Sequence, residues 1–527
     1  MPLPSPELTL TTSTTETSAS PIRRRRFLLL VAGIIAGAGV AYELSLMLLG
    51  TVTVGSTERA NAIVLGTAML GMGIGATTGG RWADRPVAAF VRIEVTLALL
   101  GASAAPALYW TWARLDAFWG PLLGMSLAIG VCIGAEMPLL AALNDRLSRQ
   151  HAAEVVASYT AADYFGALVG AVAFAFFVRP IFGIVQGTVI IAGVNLIAAA
   201  AVPFIVPAHN RRWVFGWVGA GVLGLIGLAL AGPPIVDNGR QAIFRDPIVA
   251  SAESGVQQLV VTSRVHPGGV VDTRLFLDSD LQLSSIDEHR YHESLVHPAV
   301  TGARDVLILG GGDCLAAREA LRHDSVEVLT MVELDPTVVE LMRTVPELAL
   351  LQQGSCDDPR LTIVHDDAFA WIGRQPADQY DAVIVDFPDP DTPALGRLYS
   401  VELYGQLRQL LRPDGLIVVQ CGSPFFAPRA YWTCAETLEA AGWSLLSYHV
   451  DVPSFGDWGF HLAAEGEMPK PSLPDLAGLR FLDRDVFAAA KVFPVDVRRE
   501  RFDVEVSTIL DPTIVVAAQR AWVGYDG

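Results

Sequence analysis

The first 235 residues alternate long apolar runs with short polar breaks, and the remainder alternates short β-branched runs with mixed segments. Apolar stretches near 27–49, 60–80, 87–110, 118–143, 155–178, 183–206 and 213–232 are each long enough to cross a bilayer. A crossing takes about 20 helical residues, so about seven spans are predicted. Arg23 to Arg26 precede the first run. Alone, that stretch would fit a secretory or twin-arginine signal, but the further runs make it a first span whose basic flank stays in the cytoplasm. Arg81 and Arg85, Arg146 and Arg149, then Arg211 and Arg212 fall in alternate loops, which agrees with an inside amino terminus. Residues 1–22 are rich in Ser, Thr and Pro, without apolar period, and read as a disordered tail ahead of a transmembrane domain over 23–235.

After Pro233 and Pro234 the pattern shortens. "VQQLVVTSR" and "TRLFLD" predict a small β-unit within 250–300. From Asp305 onward "DVLILGGGD", "VEVLTMVELD", "LTIVHDD", "YDAVIVDFPD" and "GLIVVQCG" alternate with helical segments. That alternation predicts an α/β doubly wound, Rossmann-like domain over 301–465, followed by an extension over 466–527. The fold class is therefore a multi-span α-helical membrane domain joined to a doubly wound sheet with a small β-unit at its start.

Composition sharpens this picture in two ways. The chain is 52% hydrophobic and 17% charged, too apolar for an ordinary soluble protein. Its net charge of −18 argues against nucleic acid and suits cationic small molecules. Cys132, Cys314, Cys356, Cys421 and Cys434 form no CxxC pair and no His/Cys ligand spacing. They are expected to be free thiols, with neither a metal site nor a disulfide framework.

In a doubly wound sheet ligands bind outside the carboxyl ends of the strands. Gly310, Gly311 and Gly312 follow the first strand, where backbone must pass close to a ligand. Glu333 ends the next strand, about 20 residues on, where an acid can take two ribose hydroxyls. Asp366 follows the third and is placed to accept from an adenine amino group. Asp386 and Asp389 end the fourth, in "DFPDP". The turn is not GxGxxG, and Asp313 beside it would repel a pyrophosphate, whereas a sulfonium nucleoside would welcome that carboxylate. An S-adenosyl-type ligand is therefore favoured over NAD.

The stretch 250–465 resembles the spermidine synthase (polyamine aminopropyltransferase) family. The resemblance rests on "SGVQQLVV", "LDSDLQLSSIDEHRYHESLVHPA", "LILGGGDCLAARE", "MVELDP" and "DFPDP…LYSVELY". The runs "AYELSLMLLG", "GMGIGA", "GAEMPLL" and "ADYFGALVGA" are similar to its membrane-fused branch. The resemblance implies an S-adenosylmethionine-methyltransferase-type fold and no permanently bound cofactor. It implies decarboxylated S-adenosylmethionine as co-substrate, held by Gln257, His292, Gly310, Gly311, Asp313, Glu333 and Asp366. It also implies Tyr291 near the acceptor and Asp386 as base; the chemistry agrees, with Asp389 expected to hold the remaining positive charge of a polyamine and Gln420 expected at the acceptor. Three departures stand out: Cys314 in place of a glycine, Val256 where a tyrosine often precedes the glutamine, and "VPSFGDWGF" in place of a Thr-Tyr-Pro-Ser-type acceptor loop.

Putrescine is the default acceptor, with agmatine, cadaverine and longer polyamines as alternatives. A methyltransferase would use the same sheet, and a membrane polyamine transporter or sensor would use it only to bind. Glu43, Glu136 and Asp163 lie inside apolar runs, where ionisable groups usually face the bundle interior, and they are candidates for a cavity that takes a polycation or a proton. The expected partners are a polyamine, a sulfonium nucleoside and a lipid bilayer, not nucleic acid; a homo-oligomer is compatible with the sequence. The expected location is the cell membrane, multi-pass. Donor supply favours a cytoplasmic catalytic domain, while an odd number of spans puts it outside.

Overall fold

A computed structural model describes residues 21–54, 58–115, 117–147, 152–207, 210–468, 473, 476 and 478–523. The amino-terminal stretch read as disordered lies outside these residues up to position 20, and Pro21 and Ile22 begin the first helix. Two compact units divide between Ile243 and Phe244.

The helical unit comprises α1 (Pro21–Val54), α2 (Glu58–Gly79), α3 (Pro86–Leu115), α4 (Trp119–Asp145), α5 (Ala152–Ala173), α6 (Arg179–Ile205) and α7 (Arg211–Ile243). Among the described residues six continuous stretches of helix are long and apolar enough to cross a membrane, and the fifth, Ala153–Ile205, takes in α6 and all but the first residue of α5. Its 53 residues would extend about 80 Å if straight, more than twice a bilayer's hydrocarbon thickness. It is not straight, because a π turn over Phe174–Val178 is followed by Gly183 at φ 69°. A methyl group at Gly187 would stand 3.1 Å from a Val178 side-chain carbon. A straight helix would separate those residues by about 13 Å, so the chain doubles back here. The apolar segments 155–178 and 183–206 are thus two arms of one broken helix. Small residues let neighbouring helices touch backbone to backbone. A Cβ at Gly134 of α4 would fall 2.0 Å from the Met72 carbonyl of α2, and one at Gly166 of α5 would fall 2.0 Å from Gly33 of α1.

The second unit opens with an antiparallel sheet of β1 (Ile248–Glu253), β2 (Gln258–Val265), β3 (Val271–Leu277) and β4 (Asp280–Ser284). Helix α8 (Glu288–Val300) leads into the larger sheet. Its parallel strands are β5 (Asp305–Gly310), β6 (Val328–Glu333), β7 (Leu361–His365), β8 (Tyr380–Asp386) and β9 (Leu411–Gln420). Helix α9 (Leu315–Ala320) follows β5, and α10 (Pro336–Thr344) follows β6. Strands β10 (Trp443–Val452) and β11 (Gly456–Glu465) close the sheet as an antiparallel hairpin, so the strand order is β10-β11-β9-β8-β5-β6-β7. The sheet is mostly parallel rather than wholly so, and the hairpin carries the "VPSFGDWGF" segment at its tip.

Each parallel strand is apolar on both faces because helices cover both. Val306, Ile308, Ala382, Ile384 and Val418 enter one apolar cluster. Their neighbours Leu307, Leu309, Val383, Val385 and Val419 enter the other.

The cysteines correct the expectation of free thiols. Cys314 pairs with Cys356 and Cys421 with Cys434 as disulfides, while Cys132 is free and buried. The partners lie 42 and 13 residues apart, so no local spacing announces them. The fold brings them together: Cys314 caps α9, and Cys356 follows Ser355, whose hydroxyl donates to the Cys314 carbonyl at 2.8 Å.

Gly310 is the point where the backbones of two parallel strands come closest to excluding a side chain. It has φ 82°, and a Cβ there would lie 2.2 Å from the Asp386 carbonyl oxygen. Gly310→Ala is expected to destabilise the α/β unit by more than about 1 kcal/mol. Gly268→Ala, at φ 103° but in open space, should cost less. Unfolding of both full-length variants, followed by intrinsic fluorescence, makes the comparison. Equal losses would mean that backbone conformation, not the approach to β8, sets the cost.

Candidate active site

Strand β5 pairs with β6 on one side and β8 on the other, so the order of the sheet reverses there. A crevice opens at such a switch point. Gly310 lies opposite Asp386 in the register of β5 and β8. The glycine turn and the acids after β8 therefore face the same crevice.

On the turn side, the Gly312 amide donates to Glu333 Oε2 at 3.1 Å, and the Asp335 amide to Oε1 at 2.8 Å. Burial pushes the Glu333 carboxyl up to about 7 against those two hydrogen bonds, with Asp335 and Asp313 adding to the rise. Gln257 donates to Asp335 Oδ2 at 3.2 Å, so it borders Glu333 through a shared neighbour. Asp366 follows β7, and its carboxylate is held by the Arg374 guanidinium while staying 34% exposed. It lies nearer solvent than the other strand-end acids.

Between the two sides stands His292 of α8. Its Nδ1 faces the Glu288 carbonyl at 2.8 Å and Glu288 Oε2 at 3.1 Å, and its Nε2 faces Asp313 Oδ2 at 3.5 Å. Burial alone would lower its pKa, but the carboxylates of Asp313 and Glu288 outweigh burial and raise it to about 10. Arg318 grips Glu288 with both terminal nitrogens, at 3.1 and 2.8 Å. Burial would raise Glu288, yet His292 and Arg318 hold it down to about 2.

On the acid side, the Tyr291 hydroxyl donates to Asp386 Oδ1 at 2.5 Å. Burial and the nearby Asp313 raise Asp386 to about 6, against the opposing pull of His292 and Tyr291. Asp389 is raised by burial to about 7, with Gln420 opposing and Asp391 and Asp280 adding to the rise. Gln420 at the end of β9 donates to the Phe387 carbonyl and to the Tyr399 hydroxyl. Tyr399 in turn donates to the Phe387 and Pro388 carbonyls at 3.1 and 3.0 Å, which fixes the backbone between the two acids. Phe455, Trp458 and Phe460 of the hairpin pack around the Tyr291 ring, with centroids 6.0, 6.4 and 5.4 Å away.

His292, Asp313, Asp386, Asp389, Tyr291, Gln420, Glu333, Gly310 and Gly311 thus border one crevice, with Gln257 one neighbour removed and Asp366 at the edge. Four residues that the sequence reading did not single out hold this set in place: Asp287, Glu288, Arg318 and Tyr399. Asp287 accepts from the Ser454 amide at 2.6 Å and hydroxyl at 2.9 Å, tying the hairpin tip to the start of α8. All four lie inside or beside the quoted motifs, but charge and hydroxyl alone do not announce a supporting role.

Two groups have the composition of a metal site. His292, Asp313 and Asp386 bring one ligand atom each within 4.8 Å of one another. An imidazole held protonated by two carboxylates has no free lone pair for a metal, so this group reads as an ion pair beside the Asp386 carboxyl. Cys421, Cys434 and His461 form the other. Its sulfurs are joined as a disulfide, and both ring nitrogens face protein partners, Ser447 and the Tyr431 carbonyl.

The crevice brings together a glycine-lined switch point, a strand-end acid, Glu333, and a raised carboxyl, Asp386, touching a tyrosine. Residues 288–473 match the spermine/spermidine synthase domain. The chain is 45% identical over 515 residues to polyamine aminopropyltransferase 1 of Streptomyces coelicolor, covering 95% of this chain and 96% of the relative. It is 41% identical over 531 residues to the polyamine aminopropyltransferase of Mycobacterium tuberculosis, covering 98% and 100%. A solved spermidine synthase in complex with the transition-state analogue AdoDATO aligns at 27% identity and TM-score 0.43, over 48% of this chain and 87% of that one. The chain belongs to the polyamine aminopropyltransferase family.

The Glu288–His292–Asp313 chain makes stability depend on pH, with a sign that follows from the two shifts. Glu288, lowered in the fold, contributes stability above its unfolded value of about 4.3 and loses it as pH falls through 2. His292, raised in the fold, contributes fully below its unfolded value of about 6.5 and loses that contribution as pH rises through 10. The melting temperature of the full-length protein should therefore fall between pH 6.5 and 10 by more than in His292→Gln. Parallel curves for the two proteins would remove His292 from this role.

Proposed function

We propose that the α/β unit moves the aminopropyl group of decarboxylated S-adenosylmethionine to an amine, with putrescine as the default acceptor and spermidine and methylthioadenosine as products. One observation carries this reading: Asp386 and Asp389, three residues apart at the end of β8, both have carboxyls whose pKa is raised chiefly by desolvation, and a tyrosine hydroxyl touches the first. An alkylamine is protonated at neutral pH and lacks the lone pair it needs to attack the carbon beside the sulfonium. Asp386 is more basic than an ordinary aspartate yet mostly ionised at pH 7, which suits it to take that proton. The new nitrogen–carbon bond forms as the carbon–sulfur bond breaks, and methylthioadenosine leaves as a neutral thioether. Asp389 would hold the far ammonium, and Tyr291 would orient Asp386.

Glu333 would take the ribose hydroxyls by exchanging its contacts with the two backbone amides, Asp366 the adenine, and Gln257 the adjoining edge through Asp335. Asp313 and His292 would lie beside the charged part of the donor, with Gly310 and Gly311 leaving the backbone open to it. Gln420 would set the acceptor pocket, and the aromatic walls of Phe455 and Trp458 would suit its methylene chain. Methyl transfer and a binding-only role are not favoured, because relatives spanning almost the whole chain are named as aminopropyltransferases.

We also infer that residues 23–235 form the membrane part, that 250–300 serve as a small β-unit beside the catalytic domain of 301–465, and that 466–527 extend it. A catalytic unit on the cytosolic side matches donor supply, and one arm of the helix broken at Gly183 would then be re-entrant. Span parity pulls the other way, as do two disulfides, which oxidising compartments preserve. Donor supply decides, since the reaction cannot run without it. Protease should reach a carboxyl-terminal tag in inverted vesicles and not in intact cells; the reverse pattern would place the unit outside.

Mass spectrometry of products from purified protein, given either decarboxylated or intact S-adenosylmethionine and a panel of amines, tests the reaction. Aminopropylated product is expected, and methylated product would overturn it. Asp386→Asn should lower turnover by about 10²- to 10⁴-fold while donor binding survives. The acid limb of the wild-type rate profile, expected near pH 6, should vanish in that variant.

Glu333→Gln should act on the donor instead. Losing a charge-assisted contact worth about 1.5–3 kcal/mol predicts apparent donor affinity about 10- to 150-fold weaker. The rate at saturation should change less. A fall confined to that rate would refute the ribose role.

A further inference from the structure

The helical unit buries acids of its own. Glu94 of α3 has no solvent exposure, and Glu136 of α4 is 4% exposed. Tyr42 of α1 and Asn195 of α6 are buried with them. Glu94, Glu136 and Tyr42 lie close enough to interact electrostatically, with Asp163 of α5 adding to the field at Glu136. The Asn195 amide sits beside the Glu94 side chain and donates to the Glu94 carbonyl at 3.3 Å. Side chains of four helices thus converge at one place inside the bundle. Of the acids expected within the spans, Glu136 belongs to this group, Asp163 is half-buried at its margin, and Glu43 is half-buried with one oxygen unpaired. Glu94 was not among those expected, although it too interrupts an apolar run.

The bonding of this cluster is incomplete. Both Glu94 carboxylate oxygens, Glu136 Oε1, Asn195 Oδ1 and the Tyr42 hydroxyl are shut off from solvent without a hydrogen-bond partner. All but the tyrosine are acceptors when the acids are ionised. Neither glutamate has an ion-pair partner among the described residues. The cluster holds more buried acceptors than donors, a deficit that a proton or another cation makes up. The active site has the same inventory: two carboxyls, one tyrosine and one carboxamide, in Asp386, Asp389, Tyr291 and Gln420.

We propose that Glu94 and Glu136, with Tyr42 and Asn195, form a second site for the ammonium group of an amine, inside the helical unit. The choice of amine rests on the function proposed above. In the closed arrangement a proton on the pair supplies the missing donor without needing room. An entering R–NH3+ takes its place, leaving the carboxylate paired with the ammonium and releasing one H+. The break that would let helices part is at hand: Phe174 of the π turn and Ile184 beside Gly183 pack in the same apolar cluster as Tyr42. Interrupted helices of this kind line the binding sites of transporters.

Equilibrium binding of radiolabelled putrescine to the full-length protein in detergent, with aminopropyl transfer assayed on the same preparation, tests this. Wild type should show two classes of site, and addition of putrescine should release protons to an indicator dye. Glu94→Gln and Glu136→Gln should each lose one class and the proton release, with transfer kinetics unchanged. Tyr42→Phe, which removes only a hydroxyl, should weaken the second class by roughly tenfold even where the glutamine variants fold poorly. A single class in wild type that the glutamine variants keep, or both classes kept in those variants, would overturn the proposal. Proton uptake and release without a second amine class would overturn it in favour of a site for protons alone. Absence of transfer by wild type would count against the catalytic reading, while the site count in the helical unit is read independently.

Discussion

Gly310 and Asp386 occupy the same step of adjacent parallel strands, and the active site depends on that contact. The Gly310 backbone lies so near the Asp386 carbonyl that no side chain fits between them. This closeness lets the chain leave β5 in a left-handed turn and run across the mouth of β8. The donor side of the crevice and the carboxyl read as the base are therefore set by one register, not by two loops adjusted separately. Helix α8 then spans both sides with consecutive residues. Tyr291 reaches Asp386, and His292 reaches Asp313. The helix cannot drift, because Glu288 is gripped by Arg318 and Glu293 accepts from the amides of Arg480, Phe481 and Leu482.

Charge in the crevice is divided in a way that suits two cationic substrates. The Asp313 carboxylate has a counter-ion in His292, and Glu288 has two, so these acids need no ligand. Among the described residues neither Asp386 nor Asp389 has an ion-pair partner, and desolvation raises both although His292 pulls on Asp386. Burial makes their ionised forms costly until positive charge arrives. The same cost makes them better proton acceptors than surface aspartates. Affinity for a cation and capacity as a base therefore have one physical origin.

The sequence made legible whatever is local. Acids at four successive strand ends, the glycine turn and the apolar spans all follow from patterns within about 25 residues. What it concealed is non-local. Cys314 and Cys356 meet only because the turn after Gln352 folds back against the cap of α9. Tyr399 looks like one more core aromatic until its hydroxyl is seen bridging the carbonyls between Asp386 and Asp389. The β10–β11 hairpin runs against the other strands, and its pattern does not distinguish a parallel neighbour from an antiparallel one. In the helical unit the fold-back at Gly183 is written in one glycine among many. Glu94 stands in a run as apolar as those holding Glu43 and Glu136, and only the converging helices show that it is Glu136's neighbour.

The three departures from the family pattern can be weighed by what each position touches. Val256 is 47% exposed, and its amide bonds only to the Ser254 hydroxyl, so little rests on that side chain. Cys314 has φ 59°, the left-handed conformation that suits the glycine usual there. A thiol at such a position costs backbone strain, and the bond to Cys356 holds the residue in place nevertheless. The third departure has the largest chemical consequence. The hairpin brings Phe455 and Trp458 against Tyr291, and Asp287 fixes the tip through Ser454. An acceptor loop with hydroxyls would meet an amine by hydrogen bonds, whereas aromatic walls meet its methylenes by contact and leave the ammonium groups to the carboxyls. On the proposed reading Asp386 and Asp389 would then have the larger share in choosing the acceptor, because their spacing, more than loop hydroxyls, would set where the two nitrogens can lie.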